Sequence, residues 1–374
     1  MRPKSLSLSS ILIAGIFLFY PAISSRSQDV GMVPAIQSPE FEAICRSEPT
    51  ADCETIGKAA RLTTDLIYEL FDGEITQNRA KYQSIIGAIA QLYGTEPNAV
   101  QVVNKRLKLS DFFIVEADQV FGGYAVFIRP QNSEFQGRQK AKFFIAFKGV
   151  YPKLEDPNDI AAALSALPEH LYRDAGVLIH RGFRDYAASV FQDETSQTAI
   201  ADILRLQADP QTDVEVLVTG HSLGGCAILY AALLVDAGVS PQNIQAIVFG
   251  SGPVATSDFI TQYPDLIPNI TRVETGGDML IYEDGSPMKP IYDTLGYVPF
   301  GKLIHAPASD RLNQLKQQLL ILEQRRQTSP SENLTSDALN LAREILQERV
   351  AIHTHSYRYY YQRYRSGQGD CPLW

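Results

Sequence analysis

Between Val214 and Ala237 the apolar positions change period. Val214, Val216 and Val218 form a short β-branched run, the pattern breaks at Gly220, and an Ala/Leu-rich stretch of helical character resumes from Cys226. Upstream, Ile56, Ala59, Ala60, Thr63, Ile67, Leu70 and Phe71 recur at helical spacing from Thr55 and stop before Gly73; a second helix is predicted over Arg79–Leu92, closed by Gly94 and Pro97. Phe112–Val115, Gly123–Ile128 and Lys142–Phe147 read as strands, with Pro130–Gln139 as a polar connection. A helix is predicted through Tyr186 and Val190 and on toward Ile200 and Leu206, and buried strands over Ile244–Phe249 and Ile270–Val273. Two amphipathic stripes follow, Leu312, Leu315, Leu319 and Leu322, then Leu339, Ala342, Leu346 and Val350, turning at Thr328–Asn333. They predict an inserted helical hairpin over 310–350, packed on the sheet or serving as a second cap or interaction surface. Strands alternating with helices predict an α/β fold.

At 374 residues and 45% hydrophobic, the chain has the material for one large core. A net charge of -9 argues against nucleic acid as a partner. Arg2 and Lys4, the apolar run Ile11–Tyr20 and the small residues around Ala22-Ile23-Ser24 read as a signal peptide over 1–24, followed by a flexible leader over 25–54 and a domain over 55–374. The protein is therefore expected to be secreted or periplasmic. The alternative is an uncleaved anchor reaching back through Leu6, since the run is short of the roughly 20 apolar residues of a membrane span. Cys226 reads as a small buried thiol, which leaves Cys45, Cys53 and Cys371 for a disulfide, either Cys45 with Cys53 or Cys53 with Cys371.

The candidate chemistry sits at the break. Gly220-His221-Ser222-Leu223-Gly224 is a G-x-S-x-G elbow, and between a valine strand and an Ala/Leu helix it predicts a serine thrust clear of its backbone on a tight turn. Backbone N–H groups at the start of the helix then face the place where an oxyanion forms. Gly149, ending the strand Lys142–Phe147, marks where a second oxyanion N–H would arise. Asp278, in the loop after the strand Ile270–Val273, suits a carboxylate that orients an imidazole; Glu283 and Asp284 are nearby rivals. His180 precedes the serine, against the chain order serine, acid, histidine, and is read as structural; His305 is read as a core or edge residue. His353 and His355 remain, with no cysteine or carboxylate cluster to complete a metal site. The short apolar pattern through Ile160, Ala163, Leu164 and Leu167, bounded by prolines, suits a movable lid within 151–178.

Five ordered stretches, Ala146–Val150, Ile179–Phe183, Val218–Gly225, Val248–Val254 and Arg272–Leu280, resemble the motifs of the fungal-type (class 3) triacylglycerol lipase family, and the resemblance spans about Gly123 to Tyr360. It implies an α/β-hydrolase fold, a mostly parallel central sheet with helices on both faces, and a serine carboxylic-ester hydrolase acting on lipid esters at an interface through transient contact with a lipid surface. It further implies Ser222 as nucleophile, Asp278 as acid, His355, followed by Ser356 and near Tyr359 and Tyr360, as base in preference to His353, and the amides of Val150 and Leu223 as oxyanion donors. No cofactor or metal is implied. Two departures stand out: Val150 occupies the position of the family's hydroxyl residue, and Lys148 that of its arginine. An acyltransferase on the same fold, or a non-catalytic lipid-binding protein, are the alternatives.

Overall fold

The computed structural model describes residues 51–107, 120–129, 133–135, 138–149, 168–170, 177–278, 280–284, 286, 288–306, 310–328, 337, 340–341 and 343–345. Its first element is one long helical arm. α1 (Ala51–Arg61) passes through a π turn at Leu62–Leu66 into α2 (Ile67–Ile75), so the helix begins ahead of Thr55 and runs past Gly73. Thr63 and Thr64 survive inside it because their hydroxyls donate to the carbonyls of Ala59 and Ala60 at 2.7 and 2.6 Å. α3 (Arg79–Tyr93) starts where the Asn78 side chain accepts the Lys81 N–H at 3.0 Å, and it ends at Gly94 with φ 63°.

β1 (Val100–Leu107) and β2 (Val120–Ile128) form an antiparallel pair. The hydrophobic pattern does not reveal β1, because an edge strand keeps polar residues such as Gln101 and Asn104 on it. β3 (Ser133–Phe135) folds back onto the start of β4 (Arg138–Phe147), so part of the expected polar connection is a hairpin. β5 (Pro168–His170) and β6 (Leu178–His180) make a separate two-stranded sheet. Of the expected lid, only 168–170 and 177–178 are among the described residues, and 168–170 is a strand; the apolar pattern through Ile160–Leu167 lies outside them, as does Phe112–Val115.

The helix expected through Tyr186 is two. α4 (Arg181–Phe191) stops at Gln192, and α5 (Glu194–Gln207) restarts with the Asp193 carboxylate accepting the Thr195 N–H at 2.8 Å. β7 (Thr212–His221), a 3-10 turn at Ser222–Cys226 and α6 (Ala227–Asp236) follow, then β8 (Ile244–Phe249), α7 (Asp258–Gln262), β9 (Ile270–Thr275), α8 (Lys289–Leu295), β10 (Lys302–Ala306) and α9 (Asp310–Thr328).

The main sheet has the order β1-β2-β4-β7-β8-β9-β10, and every pair from β4 to β10 is parallel. Side chains alternate across it. Val216, Val218, Ala246, Val248 and Ile270 face α4, α5 and α6, while Leu217, Ile247, Phe249, Val273 and Ile304 face Ile56, Ala59 and Ala60 of the N-terminal arm. Both faces are thus helix-covered, and β7, buried on each side, stands at the centre. This is the α/β-hydrolase fold.

The helical insertion carries its own small core, in which Leu312 and Leu315 of α9 pack with Leu341 and Ile345. Of the expected second stripe, Leu339, Ala342, Leu346 and Val350 lie outside the described residues.

Candidate active site

β7 enters the core as a fully buried strand and must turn sharply into α6. The turn is made at Ser222, a non-glycine residue with φ 58°. An L-residue adopts that left-handed backbone at a cost of roughly 1–2 kcal/mol, and it persists where the surroundings enforce it. They do so here by proximity. A Cβ on Gly220 would lie 1.9 Å from the carbonyl oxygen of Gly224, and one on Gly224 would lie 2.5 Å from that of Phe147. The strand, the turn and the end of β4 close on one another only because both positions lack side chains. Ser222 is 6% exposed, and Leu223 beside it is buried in the 3-10 turn whose N–H groups precede α6.

The loop leaving β4 is held against this elbow by Tyr68, which sequence reasoning did not single out, and by contacts of Gly149 and Lys148. Gly149 is pressed so closely that a Cβ would come within 2.4 Å of both the His221 carbonyl oxygen and the Tyr68 hydroxyl. Tyr68, from α2, also forms a 3.0 Å hydrogen bond with Nδ1 of His221. Lys148 is buried: its Nζ donates to the Gly149 carbonyl at 2.8 Å and lies 4.4 Å from the centre of the Phe71 ring, so α2 supplies a π face to the cation. The Lys148 carbonyl in turn accepts the Tyr186 hydroxyl at 2.6 Å. The lysine in place of the family's arginine is thus a strut for the loop. Val150 lies outside the described residues, directly after this clamped segment. The signal for Tyr68 was present as a hydroxyl inside an apolar helical stripe, since a buried tyrosine needs a polar partner.

Asp278 stands beyond β9, 0% exposed. Its Oδ1 accepts the Leu280 N–H at 2.9 Å, and the Tyr292 hydroxyl donates to the Leu280 carbonyl at 2.8 Å, fixing the turn from the other side. The rival acids separate from it. Glu283 pairs with Lys316, accepts the Gly277 N–H at 3.2 Å and lies 3.7 Å from His305 Nε2; burial alone would lift its pKa, but these partners hold it down at about 2. Asp284 is fully exposed and meets Lys289 at 3.9 Å. Burial lifts the carboxyl of Glu274, paired with Arg272 on β9, to about 7, against the pull of Arg272 and with the Asp278 charge pushing the same way.

His180 is buried, tilted against Phe183 and stacked on Tyr297 at centroid distances of 4.6 and 5.9 Å, and its backbone N–H donates to the Val254 carbonyl. His305 is on the edge strand β10. Cys226 is a fully buried thiol whose pKa burial pushes up. His353, His355, Cys45 and Cys371 lie outside the described residues, as does the Cys53 side chain.

Ser222 and Asp278 both follow the C-terminal ends of parallel strands of one sheet, β7 and β9, with Leu223 and the Gly149 loop beside the serine. The class this defines is the α/β-hydrolases that carry a serine on a strand-to-helix elbow. Residues 144–281 match the family described as Lipase (class 3). The protein is an ester hydrolase, and its reaction is the hydrolysis of lipid esters. No curated protein matches the chain. Among solved structures it is similar to a fungal lipase in an inhibitor complex described as a model for interfacial activation, at 19% identity, covering 67% of this chain and 79% of that one with a TM-score of 0.45. It is also similar to the Rhizomucor miehei lipase–propeptide complex (17% identity, 76% and 80% covered, TM-score 0.45). A further likeness is to lipase II from Rhizopus niveus (19% identity, 68% and 80% covered, TM-score 0.42).

Proposed function

We propose that the chain cleaves lipid esters through Ser222, His355 and Asp278 by way of an acyl-enzyme. The Ser222 Oγ attacks the ester carbonyl carbon while His355 takes its proton; Asp278 orients the imidazole and stabilises the imidazolium. The amides of Leu223 and Val150 receive the oxyanion. Collapse of the tetrahedral intermediate breaks the ester C–O bond, and the imidazolium protonates the departing alcohol. A water, deprotonated by His355, then attacks the acyl-enzyme, and the fatty acid leaves as Ser222 regains its proton. No cofactor takes part.

One observation carries this reading: a serine held at φ 58° and a fully buried aspartate follow the C-terminal ends of β7 and β9 in the same parallel sheet. The segment 151–178 is the lid over the site and makes the transient contact with the lipid surface. The first 24 residues direct export, so the mature protein is secreted or periplasmic.

A fluorophosphonate probe tests the nucleophile. Labelling of the wild type that disappears in Ser222→Ala supports the reading; folded protein that stays unlabelled with and without detergent sinks it. His355→Ala is expected to abolish turnover where His353→Ala retains it, and N-terminal sequencing of the exported protein reads the cleavage point.

A further inference from the structure

The turn that carries Asp278 is gripped from an unexpected direction. Thr275 ends β9, and Gly277, two residues on, turns the chain with φ 91°. The Gly277 amide donates to Oε2 of Glu283 at 3.2 Å, one residue before Asp278. The other carboxylate oxygen of Glu283 is engaged by Lys316 Nζ, from the second turn of helix α9. The two side chains are only 23% and 14% exposed, so the pair is shielded from the solvent screening that makes surface ion pairs weak.

α9 is fixed in its turn. Leu312 and Leu315, on the same side of the helix as Lys316, pack against Leu341 and Ile345, and Arg311 reaches Glu344 at 2.7 Å. The helical insertion thus places a cation against the carboxylate that holds the acid turn. Both α9 and its partner helix lie beyond the 144–281 span of the family match, so the grip is added by this chain's own C-terminal segment.

We propose that Lys316 and Glu283 are positioning residues, through which the helical insertion sets the Gly277–Asp278 turn and so aims the Asp278 carboxylate at the catalytic histidine. The inference rests on Asp278 being the acid of the triad. Glu283 touches no reacting atom. It works through the Gly277 amide, and Lys316 keeps the Glu283 carboxylate in place. A misplacement of about 1 Å in such a group lowers turnover by as much as roughly a hundredfold, without loss of substrate binding.

Lys316→Met, Lys316→Arg and Asp278→Asn, singly and with Lys316→Met combined with Asp278→Asn, test this through kcat, KM and the rate of fluorophosphonate labelling of Ser222. Lys316→Met is expected to lower kcat about tenfold with KM within about twofold, and Lys316→Arg to restore most of the loss. On the Asp278→Asn background, Lys316→Met is expected to change the labelling rate no further, because the group it positions is gone. An unchanged kcat in Lys316→Met, or an equal fall on both backgrounds, overturns the proposal in favour of a simple anchor for the insertion. Wild-type turnover in Asp278→Asn removes the triad reading and this inference together, whereas an inactive Asp278→Asn beside a fully active Lys316→Met removes this inference alone. Should Lys316→Met not fold, Glu283→Gln, which keeps the shape and loses the charge, is read by the same criteria.

Discussion

The Tyr68 hydroxyl lies 3.0 Å from Nδ1 of His221, a hydrogen bond that ties the N-terminal helical arm to the residue just before Ser222. The same hydroxyl closes on Gly149, so one side chain touches both the elbow and the loop leaving β4. The π turn at Leu62–Leu66 lies immediately before it and rotates the helix between α1 and α2, setting which residues of α2 face the sheet end. Tyr68→Phe keeps the ring and removes the partner. The expected cost is about 1 kcal/mol of stability, the loss of one buried hydrogen bond, read by urea unfolding. Turnover is expected to fall with it, since His221 adjoins Ser222, the proposed nucleophile.

Gly149→Ala asks for a methyl group 2.4 Å from two oxygens, both in backbone or packed helix. The loop must retreat, and the amide that follows it moves with it. Loss of one oxyanion donor costs roughly 10²–10³ in kcat. Stopped-assay kcat should drop by that order while circular dichroism stays native; an active Gly149→Ala enzyme would place the oxyanion site elsewhere.

Ser222 stores backbone strain at φ 58°. Ser222→Gly is expected to be inactive yet more stable than the wild type by about 1 kcal/mol, because glycine adopts that conformation without penalty. Thermal unfolding of Ser222→Gly beside Ser222→Ala separates relief of strain from simple loss of the hydroxyl. Only the glycine variant should gain.

Two glutamates make stability depend on pH in opposite senses. Glu283, held at about 2 against an ordinary 4.5, contributes stability that is complete above 4.5 and lost as pH falls toward 2. Glu274, lifted to about 7 by burial, is the reverse: its contribution is complete below 4.5 and lost as pH rises through 7. Urea unfolding across this range should therefore show Glu283→Gln flattening the acid limb and Glu274→Gln flattening the decline between 4.5 and 7. Arg272, Asp278 and His305 are the charges that act on Glu274, so the second slope should also respond to Arg272→Met.

Much of the architecture is legible without coordinates, and the reason is periodicity. β4, β7, β8 and β9 are buried strands, and their β-branched and aromatic runs announce them; α6 is Ala/Leu-rich because it packs on β7 and β8. The elbow is legible because sterics admit so few residues at Gly220 and Gly224, and Asp278 because it follows a parallel strand. Edge strands escape that logic: β1 hides behind polar residues, and β3 inside a polar connection. The break between α4 and α5 is likewise made by one capping aspartate, Asp193, within a pattern that continues across it.

What the tertiary structure alone decided is which distant side chains meet. Periodicity puts Tyr68 in a helix without singling it out, Lys148 just past a strand, and Glu283 among three neighbouring acids. Only folding brings Tyr68 to His221, lays Lys148 over Phe71, and sends Lys316 from the insertion to Glu283. The amino-acid sequence by itself determined the layers and the serine elbow, because these follow from local sterics and from the burial of alternating residues. The scaffolding around that serine depends on contacts between elements far apart in the chain, and local patterns do not encode them.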